Sequence, residues 1–190
     1  MKKLRILLYK TPWQLKLKYL VNHLISIRTL SKYSHIETWV PDVNGNFIEV
    51  VPQGNPQFSD CPPPIKRYAG TAYTSTMRGE DSGTVKRDAS KVLIHPANWD
   101  FIEIEVTEKQ YEVLIWWLDM KVSANKGYSK RDIMKFLVPI HFDDYQREIC
   151  SELINDGLVV IQVILGFGIF SPGKVAKKLI KQGNKVKSLI

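Results

Sequence analysis

The chain has 190 residues, of which 44% are hydrophobic and 24% charged, and its formal net charge at pH 7 is +8. This composition is typical of a soluble globular chain that is long enough to bury a real core, and a single domain is expected. Its two cysteines exclude a disulfide framework, so free thiols in a reducing compartment are expected.

The positive charge is concentrated at both ends of the chain. Residues 1–32 contain eight Lys or Arg, residues 171–190 contain six Lys, and neither segment contains an acidic residue. The segment between them carries a net negative charge. If the termini lie close together, as they often do, they form one positive patch for an anionic surface such as phosphate or lipid. The alternative is a solvated basic surface that only aids solubility.

The first half of the chain predicts strands with one helix among them. A strand is expected at 4–9, and a helix begins at Thr11-Pro12, since threonine is a common N-cap and proline favours the first helical turn. The Asn44-Gly45 dipeptide predicts a hairpin in which 46–51 returns antiparallel to a strand at 33–40. Residues 52–70 contain five prolines, which indicates an irregular insertion.

The second half predicts further strands followed by helices. Strands are expected at 71–77, 91–94 and 99–106, and the last alternates apolar and acidic residues. Capping patterns at Thr107 and Ser171-Pro172 each predict the start of a helix. Further helices are expected to begin at Ser129, where the helix is shorter, and at Cys150. The sequence therefore predicts an α+β fold: an antiparallel sheet or small barrel flanked by helices. Residues 1–190 form a single domain, and 172–190 form a basic helix and tail.

No membrane-spanning segment and no signal peptide are expected. The most apolar run, 158–170, has 13 residues, whereas a membrane helix needs about 20. The apolar stretch at 3–10 is too short for a signal peptide and is not followed by a small-residue cleavage site. A cytoplasmic location or membership of a soluble assembly such as a virion is therefore expected.

No cofactor is expected either. The four histidines and two cysteines show no metal-ligand spacing such as Cys-x-x-Cys or His-Glu-x-x-His, and the chain has neither a P-loop nor a Rossmann fingerprint. Nucleic-acid binding would rest on the terminal lysines alone.

Cys150 is the strongest candidate for chemistry. It opens a predicted helix, where unpaired backbone N–H groups and the helix dipole favour a thiolate, the nucleophilic form of cysteine. His35 on a predicted strand is a candidate base, and a third group must orient it. The hairpin would bring Glu49 beside His35, while Glu37 competes because residues i and i+2 share a face of a strand. The alternative is that Cys150 is a small buried hydrophobe and His35 is structural.

The order of these residues resembles the circularly permuted branch of the NlpC/P60 papain-like superfamily, in which the histidine strand precedes the cysteine helix. The resemblance extends from about residue 4 to residue 180. It is closest to uncharacterised phage-encoded members. It rests on these motifs: Tyr33-Ser34-His35-Ile36-Glu37, Ile48-Glu49-Val50, Gly83-Thr84-Val85-Lys86-Arg87 and Cys150-Ser151-Glu152.

The resemblance implies a thiol hydrolase with Cys150 as nucleophile, His35 as general base and Glu49 as orienting residue. The third position stays open between Glu49, Glu37, Thr74 and Thr76. The substrates implied are bacterial cell-wall peptides or lipid acyl groups, and the virion is a possible location. Two alternatives from other classes are a virion or scaffold protein with a degenerate hydrolase fold and a basic nucleic-acid-binding module.

Overall fold

The structure is a computed structural model, and it describes residues 1–12, 20–41, 48–50, 65–76, 82–124, 149–164, 166–168 and 170–189. This part of the chain has an α+β architecture, in which a six-stranded antiparallel sheet is flanked by helices. The strands are β1 (Lys2–Lys10), β2 (Tyr33–Pro41), β3 (Ile48–Val50), β4 (Ile65–Arg67), β5 (Gly70–Thr76), β6 (Gly83–Asp88), β7 (Trp99–Val106) and β8 (Val186–Ser188). The helices are α1 (Leu20–Thr29), α2 (Ala89–Val92), α3 (Glu108–Ser123), α4 (Cys150–Val160) and α5 (Pro172–Lys181), and a 3₁₀ turn spans Pro96–Asn98.

The large sheet has the strand order β6-β5-β2-β1-β7-β8, and a separate two-stranded sheet pairs β3 with β4. β1 lies in the interior of the large sheet, where Ile6 is opposite Thr38 of β2 on one side and Ile102 of β7 on the other. The strand that carries His35 therefore lies between β1 and β5.

Apolar side chains cover both faces of β1. Leu4, Ile6 and Leu8 are fully buried in the main core, to which α3, α4 and α5 contribute. Leu7 points into a smaller cluster on the other face, with Trp39 and Trp99 among its members. Burial on both faces explains why β1 is an almost continuous apolar run rather than an alternating one.

The helix starts predicted from capping patterns are confirmed for α3 and α5. At α3, the Gln110 N–H donates to Thr107 Oγ1 at 3.2 Å, and the Thr107 N–H donates to Gln110 Oε1 at 2.9 Å. At α5, the Lys174 N–H donates to Ser171 Oγ at 3.3 Å, and Pro172 occupies the first turn. These local hydrogen bonds satisfy donors that have no acceptor within the helix, which is why the sequence predicts both starts well.

The predicted hairpin between 33–40 and 46–51 is wrong. A strand has two edges, and those of β2 are taken by β1 and, from Thr38 to Pro41, by β5. β3 pairs instead with β4, with Glu49 opposite Lys66. An Asn-Gly dipeptide favours a tight turn but does not choose the partner of the strand that follows it.

The strand predicted at 91–94 is also wrong, because Ala89–Val92 forms the short helix α2. The Asp88 side chain caps this helix by accepting from the Ser90 N–H at 2.8 Å. Within the predicted insertion at 52–70, short strands occur at Ile65–Arg67 and from Gly70. The helix starts predicted at Thr11 and Ser129 fall on segments that are outside the described residues in part (13–19) or in whole (125–148).

None of the helices in the described ranges is both long enough and apolar enough to cross a lipid bilayer.

Candidate functional site

Cys150 is the first residue of α4, as predicted. Ile149 precedes it in an extended conformation, and the Ile149 carbonyl accepts from the N–H groups of Glu152 and Leu153, both at 3.1 Å. The backbone therefore changes from extended to helical at the thiol. Cys150 is only 4% exposed and has no disulfide partner. The first-turn N–H groups and the positive end of the helix dipole stabilise negative charge at this position.

His35 lies on β2, where the sheet and an aromatic neighbour hold it. It is opposite Tyr9 of β1 in the sheet register, and its ring meets that of Trp99 edge-on with 6.3 Å between centroids. Trp99 in turn contacts Tyr9 at 5.0 Å between centroids. The His35 side chain is 23% exposed, so the imidazole is packed and still reaches solvent.

The structure brings Cys150 and His35 together. Burial acts to lower the pKa of His35 and is the largest single effect. The negative charge of Cys150 and hydrogen bonds to Cys150 and Glu37 outweigh it, and together they raise the pKa of His35 from 6.5 to about 10. An imidazole held in this way favours its protonated form at neutral pH, beside the Cys150 side chain.

Two acceptors meet the same nitrogen of the His35 ring. Glu37 Oε1 lies 3.0 Å from Nε2, and Thr74 Oγ1 lies 3.1 Å from Nε2. A carboxylate oxygen that accepts from Nε2 requires the proton on that nitrogen, so the Glu37 contact favours the tautomer protonated on Nε2. Glu37 and Thr74 are 2% and 0% exposed, which shields both contacts from water.

Arg87 contacts the same carboxylate from the far side of β5. Its Nη2 donates to Glu37 Oε1 at 3.2 Å, so one carboxylate oxygen receives both the imidazole and the guanidinium. The sequence singled out Arg87 only as part of the Gly83–Arg87 motif. It is 50 residues from Glu37 in the chain, and no spacing rule points to the contact.

Of the four predicted candidates for the third position, the structure places Glu37 and Thr74 against His35. Thr76 is buried further along β5. Glu49 lies in β3 of the second sheet, and the pairing that was expected to bring it beside His35 does not form. The Glu49 side chain lies outside the described residues, so its predicted orienting role stays a prediction.

A charged cluster lies beside this site, at the end of β7 next to Trp99. Asp100, only 5% exposed, accepts from Lys10 Nζ at 3.0 Å, from Lys32 Nζ at 2.9 Å and from the Tyr33 hydroxyl at 2.9 Å. Burial acts to raise the pKa of Asp100 and is the largest effect, but the hydrogen bonds from Lys32, Lys10 and Tyr33 outweigh it and lower the pKa below 3.8. The cluster ties β7 to β1 and to the start of the His35 strand.

The described ranges contain no group of three or more His, Cys, Asp or Glu side chains arranged to hold a metal ion. The side chains that the structure brings together at the site are a thiol, an imidazole, a carboxylate and a guanidinium.

Fold and site together define an α+β protein with a buried thiol, an imidazole and a carboxylate in contact in that order. In comparisons with known proteins, no family model and no curated protein matches the chain. Any function assigned to it therefore depends on the geometry of the site and on the motifs of the sequence.

Proposed function

We propose that the protein is a thiol hydrolase of the permuted papain-like type that cleaves an amide or ester bond through an acyl-enzyme on Cys150. The observation that carries the proposal is the contact between the Cys150 and His35 side chains, with Nε2 of His35 held by Glu37. The chain order supports the same type, because the histidine strand β2 comes before the cysteine helix α4.

In the first half of the reaction, the Cys150 thiolate attacks the substrate carbonyl carbon and forms a C–S bond. The oxyanion that develops lies near the start of α4, where the Cys150 N–H is the nearest backbone donor along the chain. Protonated His35 gives its proton to the leaving nitrogen or oxygen as the C–N or C–O bond breaks.

In the second half, neutral His35 takes a proton from water, and the hydroxide attacks the acyl-enzyme. The C–S bond breaks, the acid product leaves, and the thiolate and imidazolium are restored. Glu37 orients the ring in both halves, because the Nε2 proton stays in place while the other nitrogen exchanges its proton.

The substrate class is proposed from the resemblance. Peptide amides of the bacterial cell wall are the first candidates and lipid acyl esters the second, and a phage-encoded enzyme released by lysis or carried in a virion would meet either substrate. A degenerate hydrolase fold with a structural role in a virion is the result to expect if the thiol is inert.

Residue-resolved alkylation by iodoacetamide tests the proposal without knowledge of the substrate. A free thiol is only about 1% ionised near pH 6.5, whereas an ion-paired one is largely ionised. We expect Cys150 to react roughly tenfold faster than Cys61 in the same chain. The larger ionised fraction would give a greater difference, but a thiolate of low pKa is less nucleophilic and Cys150 is buried, and both slow its reaction. His35→Ala is expected to abolish the difference.

The matched control is Cys61→Ser, which should leave both the alkylation of Cys150 and the hydrolysis of cell-wall fragments or acyl esters unchanged. Cys150→Ala should abolish hydrolysis. The proposal fails if Cys150 reacts no faster than an ordinary thiol and is indifferent to His35→Ala.

A further inference from the structure

We propose that Arg87 is a positioning residue of this site, which acts on His35 through Glu37. A role for Arg87 in catalysis rests on the proposed function. The contact itself is a feature of the fold that can be tested separately.

The sheet register places the Arg87 guanidinium within reach of the Glu37 carboxylate. Arg87 on β6 is opposite Ala72 on β5, and Ala72 is opposite Trp39 on β2. Glu37 is two residues from Trp39 and therefore on the same face of β2. The strand between them carries only a methyl group at this register position, which leaves room for the long Arg87 side chain to cross β5.

Arg87 gives the buried Glu37 carboxylate a permanent cationic partner, which His35 alone does not. Glu37 is 2% exposed, and a buried carboxylate without a cationic partner is strongly destabilising. His35 is a cation only while it is protonated, and in the proposed reaction it loses that proton in every turnover. A guanidinium keeps its charge at all relevant pH values, so Arg87 keeps Glu37 paired in both states of the imidazole.

The same contact fixes the tautomer of His35. The Glu37 oxygen that accepts from the Arg87 guanidinium also faces the ring, so the ring must present its Nε2–H to this acceptor. A protonated Glu37 could donate instead, and the Nε2–H tautomer would no longer be enforced. Arg87 thus prepares the other ring nitrogen for proton exchange with Cys150 without touching the substrate.

The test is the pH profile of Cys150 alkylation in Arg87→Met, Arg87→Lys, Glu37→Gln and the Glu37→Gln/Arg87→Met double variant. Without the guanidinium, Glu37 takes up a proton more readily, and a neutral Glu37 stabilises the imidazolium less. Arg87→Met should therefore shift the acid side of the alkylation profile to higher pH and slow alkylation near pH 6.5 by about 3- to 10-fold. Arg87→Lys should restore most of the rate. In the Glu37→Gln background, Arg87→Met should add little, since its effect passes through Glu37.

Lys86→Met is the matched control, because Lys86 is the neighbouring cation on β6 and pairs with Asp119 at 2.9 Å instead. Its profile should match that of the unaltered protein. If Arg87→Met does not fold, as judged by thermal melting, Arg87→Gln takes its place. An unchanged profile for a folded Arg87 variant, or an equal shift with and without Glu37, overturns the inference.

Nitrogen NMR of the His35 ring separates this inference from the proposed function. The Nε2–H tautomer should dominate the neutral ring in the Cys150→Ala protein and give way to a mixture when Arg87→Met is added. If the tautomer responds to Arg87 but Cys150 shows no enhanced alkylation, the positioning role stands and the hydrolase proposal fails. If Cys150 shows enhanced alkylation but neither the alkylation nor the tautomer depends on Arg87, the hydrolase proposal stands and the positioning role fails.

Discussion

Nε2 of the His35 ring lies against Glu37 and Thr74, and the ring also contacts the Cys150 side chain. The i, i+2 spacing of His35 and Glu37 places both side chains on one face of β2, so a single strand supplies the imidazole and the carboxylate that contacts it. The orienting group therefore does not depend on the pairing of a distant strand.

Glu37→Gln and Glu49→Gln distinguish the two carboxylates proposed for this role. Loss of the Glu37 charge weakens the hold on the imidazolium, and we expect Cys150 alkylation and hydrolysis to fall by roughly tenfold, equivalent to about one pKa unit at His35. Glu49→Gln should leave both rates within about twofold, because β3 pairs with β4 rather than with the His35 strand. A larger loss from Glu49→Gln than from Glu37→Gln would return the orienting role to Glu49.

At the scale of the elements, α5 packs closely against the segment that leads into β2, with Gly173 beside Ser31. Gly173 is buried in the first turn of α5, and a Cβ added there would overlap the Ser31 side chain. The Ser31 hydroxyl also accepts from the Tyr33 N–H at 3.1 Å, at the first residue of the His35 strand. Glycine at position 173 thus allows the basic helix to pack beside the site.

Gly173→Ala is expected to lower the free energy of unfolding by about 2 kcal/mol, because the neighbouring element must shift to admit a methyl group. Urea denaturation measures the loss. Gly157→Ala in α4 is the comparison, because its Cβ would lie 3.0 Å from the Leu114 side chain and 3.1 Å from the Trp117 ring, a milder crowding than the overlap at Ser31, and alanine favours the helix. If Gly173→Ala is no more destabilising than Gly157→Ala, the close approach at Ser31 is not a constraint.

Local signals in the sequence predicted the elements well, but contacts between distant strands were not predictable. The capping residues Thr107 and Ser171 act within one helical turn, so short patterns reveal them. The helix start at Cys150 and the strand of His35 were likewise visible. The partner of β3 and the reach of Arg87 across β5 depend on strand order, which is set by burial over the whole sheet. Spacing along the chain carries no information about that order.

At the scale of the whole molecule, the two basic ends meet across β7. β1 and β8 flank this strand, and Glu103 on β7 contacts Lys3 at 3.4 Å and Lys187 at 3.3 Å. The two ends of the described chain are thus close together, which is the condition set above for a single positive patch, but acidic residues of β7 partly neutralise them. The exposed lysines of α5 lie outside these ion pairs: Lys174, Lys177 and Lys181.

The Asp100 cluster joins three strands of the sheet, and its contribution to stability depends on the charge of the Asp100 carboxylate. The pKa of Asp100 is lowered below 3.8 in the folded protein. Its stabilising effect is therefore fully present above pH 3.8 and is lost as the pH falls through the lower, folded-state pKa. Asp100→Asn should reduce the free energy of unfolding by about 1 to 2 kcal/mol at neutral pH, since three hydrogen bonds lose a charged acceptor while the partly exposed lysines remain solvated.

Urea denaturation of the unaltered protein and of Asp100→Asn between about pH 7 and pH 3 measures this effect. The difference between the two should stay constant down to about pH 4 and shrink below it. Glu105→Gln is the matched control, because Glu105 is exposed on the same strand and its loss should change stability by less than about 0.5 kcal/mol at any pH. A difference that persists unchanged to pH 3 would mean that Asp100 stabilises the sheet by its shape and hydrogen bonds rather than by its charge.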